Sequence, residues 1–339
     1  MSISPVLLSV DHLRTVFPLG NGQEAAAVDD VSFEIGRGET LGLVGESGSG
    51  KSVTALSIVR LVMPPGRIVG GRVELDGRSL LELSEREIRH VRGRRIGFVF
   101  QEPMVALNPV YTIGYQIRET LAVHDLARGA AARARAAELL EAVRVPDPHR
   151  RLREYPHQLS GGLRQRAMIA LSLAAEPSLL IADEPTTALD VTVQAEILDL
   201  LREMRRTFNL SMLLITHDLG VIAEMADRVA VMYAGRIVEQ APVAALFRAP
   251  AHPYTRGLLA CIPGQQPGRR PAAIPGTVPA LGALPAGCAF APRCADRFEP
   301  CQVQPPGVSQ MEDPDHSARC YLHQPPVAPA DLKVGRSAL

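Results

Sequence analysis

The sequence contains no tryptophan, and aromatic residues make up only 4% of it. That scarcity argues against a platform on which nucleic-acid bases stack. No charge of either sign is in surplus, since 36 Lys and Arg balance 36 Asp and Glu, so nothing marks the chain as a general binder of polyanions. No run approaches the ~18 to 20 apolar residues needed to cross a bilayer. Met1 to Val10 does not have the make-up of a signal peptide, which gives the expectation of a chain that stays in the cytoplasm. Cysteine is sparse as well, with five residues, four of them late in the chain; a disulfide scaffold is therefore not expected. What remains is a chain of 339 residues with 46% hydrophobic content, enough for one large domain plus a small one.

Gly45-Glu46-Ser47-Gly48-Ser49-Gly50-Lys51-Ser52 is a complete G-x-x-x-x-G-K-S phosphate loop. The apolar run Thr40 to Val44 before it reads as a buried strand, and Val53, Leu56, Ile58, Val59 and Leu61 after it give a helix with a broad apolar face. Glycines let the backbone wrap the phosphates, so that amides and the helix N-terminus meet the negative charge. Lys51 is expected to reach the β- and γ-phosphates of ATP, and the Ser52 hydroxyl to ligate Mg2+.

Leu179 to Ala182 form a second apolar strand, read as buried on both faces of a parallel sheet, and Asp183-Glu184 close it. Asp183 is expected to hold the magnesium shell and Glu184 to orient or deprotonate an attacking water. Asp190 reads as the N-cap of the next helix, whose Ile197, Leu198, Leu201, Met204 and Phe208 are core. His217 ends the run Met212 to Thr216. Gln101 closes Ile96 to Phe100. Both lie where strand ends converge on the ligand crevice of an open α/β sheet: His217 is placed for a γ-phosphate, Gln101 for magnesium or the water.

Between these halves lies Leu159-Ser160-Gly161-Gly162-Leu163-Arg164-Gln165-Arg166. A Ser-Gly-Gly turn opening a helix is a second phosphate-binding surface, and it cannot serve the nucleotide of its own chain. Such a protein should work as a pair closing over ATP.

In their order, the phosphate loop, Gln101, Ser160-Gly161-Gly162, Asp183-Glu184, Asp190 and His217 resemble the ATPase subunit of ABC transporters. Gln101-Glu102-Pro103-Met104, Leu107-Asn108-Pro109, Tyr155-Pro156-His157-Gln158 and His252-Pro253-Tyr254-Thr255 narrow the resemblance to the oligopeptide/dipeptide importers. Leu163 departs from the glutamine of many members, but the peptide branch tolerates an apolar residue there. The resemblance implies an α/β P-loop NTPase fold with a RecA-like core, an antiparallel β-subdomain and a helical subdomain (about 102–175), all within 1–250. A small Pro- and Cys-rich C-terminal domain would follow at 251–339. It also implies ATP hydrolysis that energises peptide import at the cytoplasmic face of a bacterial membrane. The implied partners are two transmembrane permease subunits, a second ABC ATPase and an extracytoplasmic substrate-binding protein, with no nucleic acid. Ser160, Gly161 and Gly162, with Gln165 on the same helix, would cap the partner's ATP, and Phe17 would stack on adenine. Glu102 to Tyr111 would meet the permeases.

The tail changes character near Ala249. Pro263, Pro267, Pro271, Pro275 and Pro279 recur every four residues and favour an extended connector. Cys288, Cys294, Cys301 and Cys320 follow at intervals of five, six and eighteen residues, a spacing that fits neither the usual zinc pattern nor the common ferredoxin strings. The resemblance makes them a ligand set for a 4Fe–4S cluster, with zinc or plain buried thiols as alternatives; Cys261 reads as core. Arg86, Arg89, Arg92, Arg94 and Arg95 read as a solvated helix face. A soluble ABC-type ATPase acting on nucleic acid or ribosomes is the competing class. It ordinarily carries long coiled-coil insertions or two cassettes, whereas only about a hundred residues here separate Ser52 from Leu159. Glutathione or a nickel chelate is the alternative cargo.

Overall fold

The structure is a computed structural model of the chain and describes residues 5–20, 22–187, 189–262 and 273–324. Two long strands, β1 (Val6–Gly20) and β2 (Gln23–Gly36), pair antiparallel before β3 (Thr40–Val44) dives into the interior and delivers the phosphate loop and α1 (Lys51–Ile58). β4 (Arg67–Leu75) and β5 (Arg78–Ser79) complete a four-stranded antiparallel sheet in the order β2-β1-β4-β5. After α2 (Glu85–Arg94) and β6 (Ile96–Val99) the chain turns helical: α3 (Pro103–Ala106), α4 (Ile113–Val123), α5 (Gly129–Ala142), α6 (Pro148–Arg151) and α7 (Gly161–Leu173). It re-enters the sheet with β7 (Leu179–Asp183), α8 (Val191–Phe208), β8 (Ser211–Thr216), α9 (Leu219–Met225), β9 (Arg228–Tyr233) and β10 (Arg236–Pro242). The tail adds α10 (Val243–Arg248), α11 (Pro253–Ala260), α12 (Pro300–Val303), β11 (Ser309–Gln310) and β12 (Ser317–Ala318).

The main sheet runs β11-β12-β10-β9-β3-β8-β7-β6. Strands β9, β3, β8, β7 and β6 are parallel neighbours, and β10 turns antiparallel. Because successive strand residues face opposite sides, each parallel strand feeds two cores. Leu179 and Ile181 join Ala55 and Ile58 of α1 and the antiparallel sheet. Leu180 and Ala182 join Ile197 and Leu201 of α8 and the helical region. This two-sided burial is why β7 and β8 are apolar without alternation. In α5, Ala132, Ala136 and Ala137 are buried together with Leu139 and Leu140, small residues that let neighbouring helices approach.

The arginine cluster is largely the exposed face expected of it, but three of its members are tied to neighbouring segments. Ser84 opens α2 with a capping box closed by Glu87; the helix then breaks at Arg92–Gly93, where Gly93 takes φ 84. The break turns Arg92 onto the carbonyls of Val59 and Arg60, Arg94 onto that of Ala175 and Arg95 onto Asp76. Arg86, Arg89, Arg94 and Arg95 stay exposed, and Arg92 alone of the five is half-buried.

The tail leans on the ATPase body rather than standing apart. β12 pairs with β10. The buried Glu239 carboxylate accepts from the amides of Ala251 (2.7 Å) and His252 (2.9 Å) and lies 2.8 Å from His316 Nε2. A charge so deep is tolerable only with partners of this kind. The tail's own buried cluster is small (Ala291, Cys301 and Tyr321), while Tyr254, Leu259 and Phe290 belong to the main core. Most of the expected proline connector falls at 263–272, outside the described residues. Among the described residues no helix is long and apolar enough to cross a membrane.

Candidate functional site

Four parallel strands end together. β3 leads into the phosphate loop, β7 ends on Asp183, β8 leads to His217, and Gln101 follows β6. The crevice beyond such strand ends is where open α/β sheets bind ligands. The loop needs glycine at two of its positions. Gly45 (φ 156) and Gly50 (φ 105) hold backbone conformations that side chains rarely adopt, and a Cβ would strike the Met232 carbonyl at the first and the Ala27 carbonyl at the second. Ser47, Gly48, Gly50, Lys51 and Ser52 line one cavity with Gln101 and Glu184.

The Lys51 ammonium is buried and donates to the carbonyls of Gly45 (2.8 Å) and Glu46 (3.1 Å). Burial pulls its pKa down, while Glu184, Asp183 and Glu46 pull it up. Asp183 shows the converse: burial raises its carboxyl above the usual range, and its hydrogen bond to Ser52 opposes this. Both strains would be relieved by a cation and a polyphosphate. Asp183 Oδ1 and Ser49 Oγ are buried without a hydrogen-bond partner, so the donors present fit a magnesium ion, which Ser52 and Asp183 would hold.

Glu184 sits at φ 44, in a region uncommon for residues other than glycine. Its Oε2 accepts from the Thr187 hydroxyl (2.7 Å) and the Gln101 amide (3.4 Å), and His217 Nδ1 lies 3.5 Å away. The structure thus gathers the three residues expected to be catalytic, Gln101, Glu184 and His217. It adds Thr187, which no sequence pattern had marked. Asp190 caps α8, accepting from the Val193 amide.

Two residues are not placed for the nucleotide contact expected of them. Gln165 is buried, its amide donating to the Pro185 carbonyl (2.6 Å), so it braces the loop after Glu184. Phe17 pairs with Ala25 in β1–β2, and its ring lies over Gly66 rather than lining the cavity. In its stead Pro279, Ala280, Leu281 and Leu284 of the tail form part of the wall.

Ser160 caps α7, its hydroxyl accepting from the Leu163 amide, and Ser160 and Gly161 are exposed. None of Ser160, Gly161 and Gly162 lines the cavity of this chain. The helix start and the phosphate loop are separate surfaces.

In the tail, Cys288, Cys294, Cys301 and Cys320 line one small apolar cavity of about 20 Å³. Burial pushes the thiols of Cys288 and Cys294 up, and that of Cys320 to about 11. No disulfide joins them. The donor type suits a thiophilic metal, but no group of three or more Cys, His, Asp or Glu among the described residues is arranged to hold one.

Comparison with known proteins agrees with this geometry. Residues 28–187 match the ABC transporter family model, and 238–301 match the oligopeptide/dipeptide transporter C-terminal region. A probable peptide ABC transporter ATP-binding protein of Sinorhizobium fredii is 51% identical over 93% of this chain and 95% of its own. The dipeptide transport ATP-binding protein DppD of Escherichia coli is 46% identical over 93% and 96%. Among solved structures, a dimeric post-hydrolysis ATP-binding cassette bound to ADP and Pi superposes with a TM-score of 0.62 at 29% identity, over 70% of this chain and 99% of that one.

Proposed function

The chain belongs to the ABC transporter ATP-binding family, in its oligopeptide/dipeptide branch, and from that premise we propose that it hydrolyses ATP to energise peptide import through membrane permeases. The observation that carries the composite mechanism is the separation of Ser160-Gly161-Gly162 from this chain's own phosphate cavity. In a head-to-tail pair, supported by the dimeric cassette relative, the turn caps the γ-phosphate held by the facing loop. Lys51 and the loop amides bind this chain's own phosphates. Ser52 and Asp183 would hold a magnesium ion, which would supply charge neutralisation for the phosphates. Glu184, oriented by Thr187 and Gln101, takes the proton of the attacking water, and His217 steadies the γ-phosphate. Phosphoryl transfer is governed by positioning and charge, so hydrolysis waits on closure. Phe17 would have to swing from Gly66 to reach adenine.

Met104, Val105, Val110, Tyr111 and Tyr115 leave an exposed apolar face across α3, the segment after it and the start of α4, with Val105 78% and Val110 69% exposed. Permease helices would cover it, on the cytoplasmic side of the membrane. A substrate-binding protein outside completes the system. The four cysteines share one cavity but are not arranged around a metal as they stand, so their donor type alone supports an iron–sulfur cluster here; colourless, iron-free protein with full zinc occupancy after anaerobic purification would overturn that assignment. The wider proposal is tested by purifying the tagged chain from membranes. Two permeases should accompany it, and peptide-loaded binding protein should raise its ATPase activity. Stimulation by nucleic acid with no permease bound would contradict it.

A further inference from the structure

The tail holds the phosphate loop by its second residue. Arg293 reaches back 247 positions and gives both guanidinium ends to the Glu46 carboxylate, Nη1 to Oε2 at 2.6 Å and Nη2 to Oε1 at 3.0 Å. The Arg293 side chain is only 5% exposed. Its Nε donates to the Pro275 carbonyl (2.8 Å), and its guanidinium lies 5.8 Å from the Tyr233 ring centre and 5.9 Å from that of Phe290. Tyr254, fully buried on α11, takes the Glu46 amide at 2.8 Å through its hydroxyl. Side chain and amide of Glu46 are therefore both bound by residues more than 200 positions later in the sequence. The third group, the Glu46 carbonyl, receives the Lys51 ammonium.

We infer that Arg293 is a positioning residue of the nucleotide site, fixing the phosphate loop through Glu46 and cancelling a carboxylate that would otherwise stand unpaired beside incoming triphosphate. A bidentate arginine–carboxylate pair fixes direction as well as charge, so it sets where the Glu46 carbonyl, and with it Lys51, rests. The ATPase cassette alone would not be complete: its loop is shaped by a segment that follows it in sequence.

The inference rests on the phosphate loop being the ATP site. In the complete transporter, Arg293→Gln should raise the KM for ATP on the order of ten-fold, the effect of one lost charge-assisted bond, while kcat changes less than two-fold. Arg293→Lys, which keeps the charge but not the fork, should fall between. Adding Glu46→Gln to Arg293→Gln should restore most of the affinity by removing the stranded carboxylate, a rescue that a merely structural role would not give. A thermal melt of each variant identifies loss of fold. An unchanged KM in a folded Arg293→Gln protein, or a double variant no better than the single one, overturns the inference. Lys51→Ala in the same assay separates the two readings: if it too leaves ATP affinity intact, the nucleotide site itself is misassigned.

Discussion

Lys51→Ala separates a ligand-binding role from a structural one at a single atom. In the free protein the ammonium donates to the Gly45 and Glu46 carbonyls, which truncation would open to water from the cavity that Lys51 lines. The loss to the fold should be about 1 kcal/mol, a shift of roughly 1–2 °C in melting temperature for a protein of this size. With ATP bound, the same ammonium would face phosphate oxygens, and a hydrogen bond of that charged kind contributes about 1.5–3 kcal/mol. Affinity should fall roughly 10- to 150-fold. Calorimetric titration of Mg-ATP at neutral pH, paired with a thermal melt of the free protein, reads both quantities. A dissociation constant within two-fold of the parent would refute the assignment, whatever the melt shows. A collapse of the melting temperature with no change in affinity would make Lys51 a structural residue.

Glu184→Gln keeps the shape that Thr187 and Gln101 hold but removes the base. ATP binding should persist while transporter turnover drops about a hundredfold or more, and undiminished turnover would take Glu184 out of the proton transfer. His252 carries a pH signature. Burial holds its pKa at about 3, against 6.5 unperturbed, so it stays neutral in the fold while the unfolded chain takes up a proton. Stability from this residue is full above pH 6.5 and is lost as pH falls toward 3, at about 1.4 kcal/mol per pH unit. His252→Asn retains a side-chain acceptor for the Tyr254 amide and should flatten the slope in urea unfolding at pH 5, 6 and 7. Equal slopes would contradict the buried neutral histidine.

The catalytic half was legible in the sequence because each part is short and local. The phosphate loop, Asp183-Glu184 and the Ser160 turn are set by residues within a few positions of one another, and β7 and β8 announce themselves by unbroken apolar runs. What could not be read was contact between distant segments. Nothing near Arg293 or Tyr254 points to Glu46, and the two-residue strands β11 and β12 are too short to carry a period. The basic composition of the Arg92–Arg95 segment announces exposure but not partners, whereas the break at Gly93 turns three of those side chains onto carbonyls and Asp76. Gln165 shares a helix with the turn that should meet ATP, yet its position on the buried side sends it to Pro185. Thr187 gave no sign at all, since a threonine in a loop after a strand is ordinary.

In the composite site Ser160-Gly161-Gly162 would serve an ATP that this chain does not itself hold. Ser160→Cys, placed in the purified transporter together with Glu184→Gln, turns the exposed cap into a maleimide target whose labelling can be followed by mass spectrometry of that peptide. Mg-ATP should protect position 160 in the assembled complex, and protection should survive Lys51→Ala in the same chain because the facing subunit holds the nucleotide. Labelling that ATP leaves unchanged in the complex, or protection that vanishes with Lys51 alone, would contradict the composite site.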